Sequence, residues 1–358
     1  MKTKFSTNNK LVIIGNGFDL AHGLKTSYSH FLTGYFNSCA NSFRKNASEK
    51  QEGYSDDLVE ISNLEIEIHD FLDIDDIKRR FLNNAQDRYL ITNGFFKELV
   101  ENVIDNWVDI EAFYYEKVKG IFDLTNSDFL NPKDKLQEKR ERHRRRISKL
   151  NTEFNQLKEV FLNYLRRQEL DIRRIGEIDT FFSKLYKSIE DSGRIHIVNF
   201  NYTNKVEKYF DSLKEFEVNF IHGDMLKEDS HIIFGYGDEE DEYYKRMEDL
   251  RIDEYFHNFK SFGYARTRNY QRLLDEMKDN KFDVFILGHS CGFSDKVLLK
   301  TIFGHSNCEK IHIRYHQWNG SIKGNDYIKK TMQMSILFND KGQFRERLVN
   351  FEESEPLC

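Results

Sequence analysis

Apolar and polar positions along the chain follow two rhythms, and the change from one to the other organises the reading. Leu11-Val12-Ile13-Ile14 are four consecutive branched aliphatics, the pattern of a strand buried on both faces of a parallel sheet. Comparable runs recur at 194–200, 217–221 and 282–287, with a more alternating one at 310–315. Helical spacing fills the intervals. A short helix is expected from Phe18 to His22, stopped by Gly23, with Thr26 or Ser27 capping the next. Further helices are expected at 205–213, 238–259, 269–278, 295–303 (capped by Ser294) and 327–338. Residues from about 35 to 190 read as helices without strands, including 58–72, 81–119, 151–167 and 179–190. Strands alternating with helices predict an α/β fold on a parallel, doubly wound sheet. The expected division is a first βα unit (1–34), a large helical insertion or cap (35–190), and the remainder of the sheet domain (191–358).

In such sheets ligands sit beyond the carboxyl ends of the strands, and four such ends carry polar signatures. Gly15-Asn16-Gly17 follows the first strand, and glycines two apart permit a tight turn and close approach of backbone N–H groups to an anion. A turn that merely joins strand to helix is the competing reading, because Leu20 stands where a third glycine would complete the dinucleotide fingerprint. Asn201 and His222 follow the next two strands, 21 residues apart; His can act as base near neutral pH and Asn can orient water. The plain alternative is a turn-closing Asn and a His that satisfies backbone. Gly288-His289-Ser290-Cys291-Gly292 matches a nucleophile-elbow pattern, yet the 66 residues that remain offer His305, His312 and His316 without a well-placed acid. Asp109 and Glu111 are two apart and diverge on a helix, whereas Trp107 and Glu111 share a face.

Two resemblances extend this reading. The wording Asn16-Gly-Phe-Asp-Leu-Ala-His-Gly-Leu24, followed by Thr26-Ser27-Tyr28, resembles the opening motif of the bacteriophage abortive-infection AbiH family. Trp107-x-acid-x-Glu111 and Gly288-His-Ser-x-Gly-x-x-Asp295 are similar to later family elements in the same order. The succession of Gly-rich turn, strand plus Asn, strand plus His-Gly and Gly-x-Ser looks like the sirtuin-like NAD-binding fold. The resemblance implies a Rossmann-like sheet and an antiviral protein that binds and hydrolyses NAD or a related nucleotide. Asn201 would position water or the nicotinamide ribose, and His222 would polarise a ribose hydroxyl. The ligand-binding set it implies is Gly15, Asn16, Gly17, Phe18, Asp19, His22, Glu111, Thr203, Gly288, His289, Ser290 and Asp295, with no metal. Thr203 stands where the sirtuin pattern carries Asp, which favours the competing class, a non-catalytic nucleotide-binding sensor. A serine hydrolase built on Ser290 is the third.

Composition narrows the partners. Lys and Arg number 54 against 60 Asp and Glu, so the net charge of −6 does not advertise nucleic-acid binding. The basic run Lys139 to Arg146 lacks interleaved aromatics and reads as a solvated helix face or a connection. Four cysteines without a CxxC pair fit reduced thiols, and no apolar window reaches the ~20 residues of a membrane span. A cytoplasmic protein is expected. Its partners in view are a nucleotide, a phage protein as trigger and a further copy of the chain.

Overall fold

The computed structural model describes residues 6, 8–49, 53–62, 69–82, 89–102, 109–127, 136–168, 172–189, 193–210, 217–237, 239–318 and 324–358. These form an α/β protein whose described strands are β1 Asn9–Ile14, β2 Tyr54–Ser55, β3 Val59–Ile61, β4 Tyr89–Ile91, β5 Ile195–Asn199, β6 Glu217–Phe220, β7 Phe282–Leu287 and β8 Cys308–Arg314. The chain divides into two compact units, residues 1–25, 169–233 and 260–358 in one, 26–168 and 234–259 in the other.

The first unit is built on a five-stranded parallel sheet of order β6-β5-β1-β7-β8. Every residue of β1 and β7 is buried, as continuous aliphatic runs require when both faces of a strand are covered. Alternate residues of β1 enter different cores. Leu11 and Ile13 pack with Leu273, Leu298 and Met334 of the helices Asn269–Lys278, Lys296–Gly304 and Tyr327–Ile336. Val12 and Ile14 pack with Ile178, Phe181 and Leu185 of the helix Gly176–Ser188. Registers Ile14↔Asn199, Ile14↔Leu287 and Asn199↔Phe220 bring four carboxyl ends to one edge of the sheet. The outer side of β8 is covered by the chain's last turns, through bridges from Ile311 to Leu348 and from Tyr315 to Pro356, which leaves little open edge there.

The second unit is mostly helical but contains a small antiparallel sheet, β2-β3-β4, where only helices were expected. Val59-Glu60-Ile61 alternates buried, exposed, buried, yet three residues are too few to separate this period from a helical one in sequence. Asp56 organises the turn before β3: it accepts the Leu58 and Val59 N–H groups and the hydroxyls of Tyr35 and Tyr54. The helix that follows starts at Ile74, where the Asp73 carboxylate caps the Asp76 N–H. Residues 63–68 and the triplet Asn106-Trp107-Val108 lie outside the described residues. The basic run sits on the long helix Leu136–Arg167, with His143 buried and its Nδ1 2.5 Å from the Tyr255 hydroxyl. The helix expected at 205–213 is a 3-10 helix, Lys205–Tyr209.

Candidate functional site

The site is assembled from loops beyond β1, β5, β6 and β7, all in the sheet unit. Gly15 and Gly17 open it. Their N–H groups are committed to the end of β7, Gly15 to the Leu287 carbonyl at 3.0 Å and Gly17 to the Gly288 carbonyl at 2.8 Å. A Cβ on Gly15 would meet His289 Cα at 2.5 Å, and one on Gly17 would meet Gly288 Cα at 2.8 Å. The two glycines therefore let the β1 and β7 loops touch backbone to backbone. Asn16, between them, is exposed, and Phe18 is fully buried in the core.

His22 is tied inward. Its Nε2 is 2.7 Å from the Tyr209 hydroxyl, which already accepts the Ile175 N–H, so the hydroxyl donates and Nε2 accepts. Nδ1–H then donates to the Phe18 carbonyl at 2.7 Å. Burial lowers the His22 pKa, against the pull of that carbonyl.

Asp19, Thr203, Asn201 and Gly15 form one buried group. The Thr203 hydroxyl donates to Asp19 Oδ2 at 2.6 Å, and Asn201 Nδ2 donates to the Gly15 carbonyl at 3.2 Å. Burial pushes the Asp19 carboxyl up to about 6, opposed by Thr203, Lys205 and Asn201, which favour the ionised form. Asn199, the last residue of β5, shapes this turn by donating to the Thr203 carbonyl and accepting the Asn201 N–H. Asn199 opens the polar stretch Asn199 to Thr203 at this strand end.

The second group centres on Asp295. Its Oδ1 is 2.7 Å from Lys260 Nζ and 3.3 Å from His222 Nε2, and its Oδ2 is 3.4 Å from His289 Nε2. Lys260, His222 and His289 are all buried. Burial alone would raise the Asp295 carboxyl; the Lys260 ammonium, then His222 and His289, hold it well below the usual carboxylate range. An ionised Asp295 fixes the histidine tautomers. His289 Nδ1 accepts the Cys291 N–H at 2.9 Å, which leaves the ring hydrogen on Nε2, facing Asp295. His222 Nε2 faces two oxygens, Asp295 Oδ1 and the Tyr264 hydroxyl at 3.2 Å, so its hydrogen belongs there too. His222 Nδ1 carries the lone pair and has no protein partner among the described residues. Burial and the nearby Lys260 charge lower the His222 pKa, so the ring is neutral at neutral pH.

Phe200, the residue before Asn201, packs on the second group, its ring 5.3 Å from that of His222 and 4.4 Å from that of His289, and Tyr202, the residue after Asn201, lies 6.3 Å from the His222 ring. Lys260 and Tyr264 carry no motif in the sequence; a buried lysine cannot be told from an exposed one there. Ser290 stands apart. It is exposed and makes no hydrogen bond to a histidine among the described residues. The non-glycine left-handed residue of its loop is Cys291, at φ 57, with a buried thiol pushed up to about 12, so no nucleophile elbow forms on Ser290. Asp295, not Ser294, is the residue before the helix Lys296–Gly304, and its side chain is turned to the cluster instead of capping. Glu111 belongs to the helical unit, where its carboxylate accepts the Gly235 N–H at 2.8 Å.

A cavity of about 730 Å³ is lined by Val218 and Phe220 of edge strand β6 together with Asp224, Lys227, Thr267 and Arg272; His222, Asn201, Ser290 and Asp295 are not among its lining residues.

A family model described as bacteriophage abortive infection AbiH matches residues 11–317, most of the chain and all of the loops just described. The chain belongs to the AbiH family. Membership suggests a role in abortive-infection defence against bacteriophage. No curated protein matches this AbiH chain. Among its described residues no helix is long and apolar enough to cross a membrane.

Proposed function

We propose that this AbiH protein acts in abortive infection by hydrolysing NAD or a related nucleotide at the carboxyl edge of its sheet, with His222 as the acid–base group. The observation that carries the reading is the connected set Asp295, Lys260, His222 and His289, which holds a neutral imidazole with its Nδ1 lone pair unclaimed beside a strand end. We take the sheet as Rossmann-like and doubly wound. The strand order running outward both ways from β1, and the separate cores on its two faces, support that. The resemblance to the sirtuin-like arrangement supports NAD as the substrate.

In the reaction the bond between ribose C1′ and the nicotinamide nitrogen breaks. Nicotinamide leaves with the electron pair, water oxygen bonds to C1′, and the water proton passes through His222 Nδ1 to solvent. Asp295 stabilises the imidazolium that forms transiently. Gly15 and Gly17 serve by closing the β1 and β7 loops on each other, and exposed Asn16 and Ser290 remain as the ligand-facing residues of those loops. The same reading has a phage protein as trigger, the cytoplasm as the place of action and a homo-oligomer as the working form.

A non-catalytic nucleotide sensor is favoured by one observation: Asn201 and Thr203 spend their hydrogen-bond donors on Gly15 and Asp19. Chromatography of NAD incubated with the purified chain, with and without extract of phage-infected cells, separates the two. Enzyme activity is expected to release nicotinamide and to fall about 100-fold or more in His222→Ala, with nucleotide binding kept. Tight binding with no release under any condition would establish the sensor instead.

A further inference from the structure

Chain segments that leave and re-enter the sheet unit at 233/234 and 259/260 are bonded to the acid–base cluster itself. On the outgoing segment, the Ile233 N–H donates to the His222 carbonyl at 2.9 Å, and the Ile233 carbonyl accepts the Tyr202 hydroxyl at 3.2 Å. On the returning segment, Lys260 is the first residue back in the sheet unit, and its ammonium holds Asp295. Within three residues of entering the helical unit the same segments are joined to each other. The Tyr236 N–H donates to the Asn258 carbonyl at 3.1 Å, Tyr236 bridges Phe259, and a Cβ on Gly235 would lie 1.9 Å from the Asn258 oxygen. The pair is then fastened to its own unit through Gly235, whose N–H donates to buried Glu111 on the helix Ile110–Ser127.

We propose that these paired segments are a strap by which the helical unit sets the acid–base state of His222, with Lys260 as the positioning residue and Glu111 as the anchor. Moving the strap relative to the sheet withdraws Lys260 from Asp295 and loosens the backbone of His222 and the side chain of Tyr202. A trigger that acts on the helical unit thereby reaches the site without touching a ligand. The groups that face the His222 ring are Asp295, Lys260, His289 and the hydroxyl of Tyr264, with the rings of Phe200 and Tyr202. After burial, Lys260 is the group that most opposes protonation of His222, so its withdrawal raises the ring's affinity for a proton. The functional meaning rests on the reading of His222 as catalytic. The titration below needs no substrate, so failure of the strap and failure of that reading are distinguishable.

The test is an NMR titration of His222 in the full chain, labelled at histidine. Lys260→Met is expected to move the His222 midpoint up by about one pH unit, and Glu111→Ala is expected to move it in the same direction. Glu111→Gln, which keeps an oxygen for the Gly235 N–H, should leave it in place. Should Glu111→Ala fail to fold, Glu111→Asp gives a smaller shift of the same sign. A folded Glu111→Ala or Glu111→Asp protein whose His222 titrates as in the unaltered chain overturns the proposal. So does a Glu111→Gln shift as large as that of Glu111→Ala.

Discussion

Gly288→Ala is expected to lower the stability of the sheet unit by on the order of 4 kcal/mol, enough to remove most soluble protein from a marginally stable fold. Gly288 has φ +71, a region that costs an L-residue about 1 kcal/mol by itself. Steric overlap costs more. The new Cβ would lie 2.1 Å from Phe18 N and 2.6 Å from the Gly17 carbonyl carbon. Both obstacles are backbone, and Gly17 is itself bonded to the Gly288 carbonyl, so neither loop can yield without opening the other. Gly120→Ala provides the contrast. Gly120 lies inside the helix Ile110–Ser127 with nothing within 4 Å of its added Cβ, and the substitution is expected to stabilise by about 0.5–1 kcal/mol. Denaturant midpoints measured side by side read the opposite signs; a Gly288→Ala protein as stable as the unaltered chain would mean the two loops do not meet as described.

Asp295→Ala is expected to have an effect of similar size for an electrostatic reason. It leaves the Lys260 ammonium buried without its carboxylate and removes the acceptor of two imidazole N–H groups. Breaking a buried pair from one side costs about 3–5 kcal/mol, whereas replacing both members with apolar side chains is often close to neutral. Lys260→Met introduced together with Asp295→Leu should therefore recover most of the loss, though not the site. The dependence on pH has a fixed sign. The folded carboxyl titrates below its unfolded value of about 3.8, so its contribution is present above that pH and is lost as pH falls through the folded value. His222 is also depressed, so its contribution is full above about 6.5 and declines on acidification. Stability of the unaltered chain should fall from about pH 5 to about pH 2 more steeply than that of the Lys260→Met, Asp295→Leu chain, which urea melts at the two pH values measure. Equal slopes would remove Asp295 from the centre of the cluster.

What could be read from sequence was whatever depends on the rhythm of apolar residues. Leu11 to Ile14 and Phe282 to Leu287 announce buried parallel strands, and the chemistry at their ends follows from where such strands stop. His222, His289 and Asp295 are singled out in this way, and the structure places both histidines against the Asp295 carboxylate. Features that depend on which loops meet were not legible. Gly15 and Gly17 look the same in sequence whether the partner is a phosphate or Gly288. Lys260 lies in a segment with no motif, and its partner is 35 residues away, beyond a helix and a strand. Val59 to Ile61 is too short for its period to show. Glu111 was singled out beside Trp107, yet what it holds, the Gly235 N–H, is 124 residues distant.

Nitrogen chemical shifts of the two histidines, recorded at pH 7.5 in the full chain, test the central claim most directly. Nε2–H tautomers for both His222 and His289, with His222 shifting toward the Nδ1–H form in Asp295→Leu, are the result expected of an imidazole held by a carboxylate with its other nitrogen free. A His222 that carries its hydrogen on Nδ1, or one already charged at that pH, would contradict the geometry on which the proposed chemistry depends.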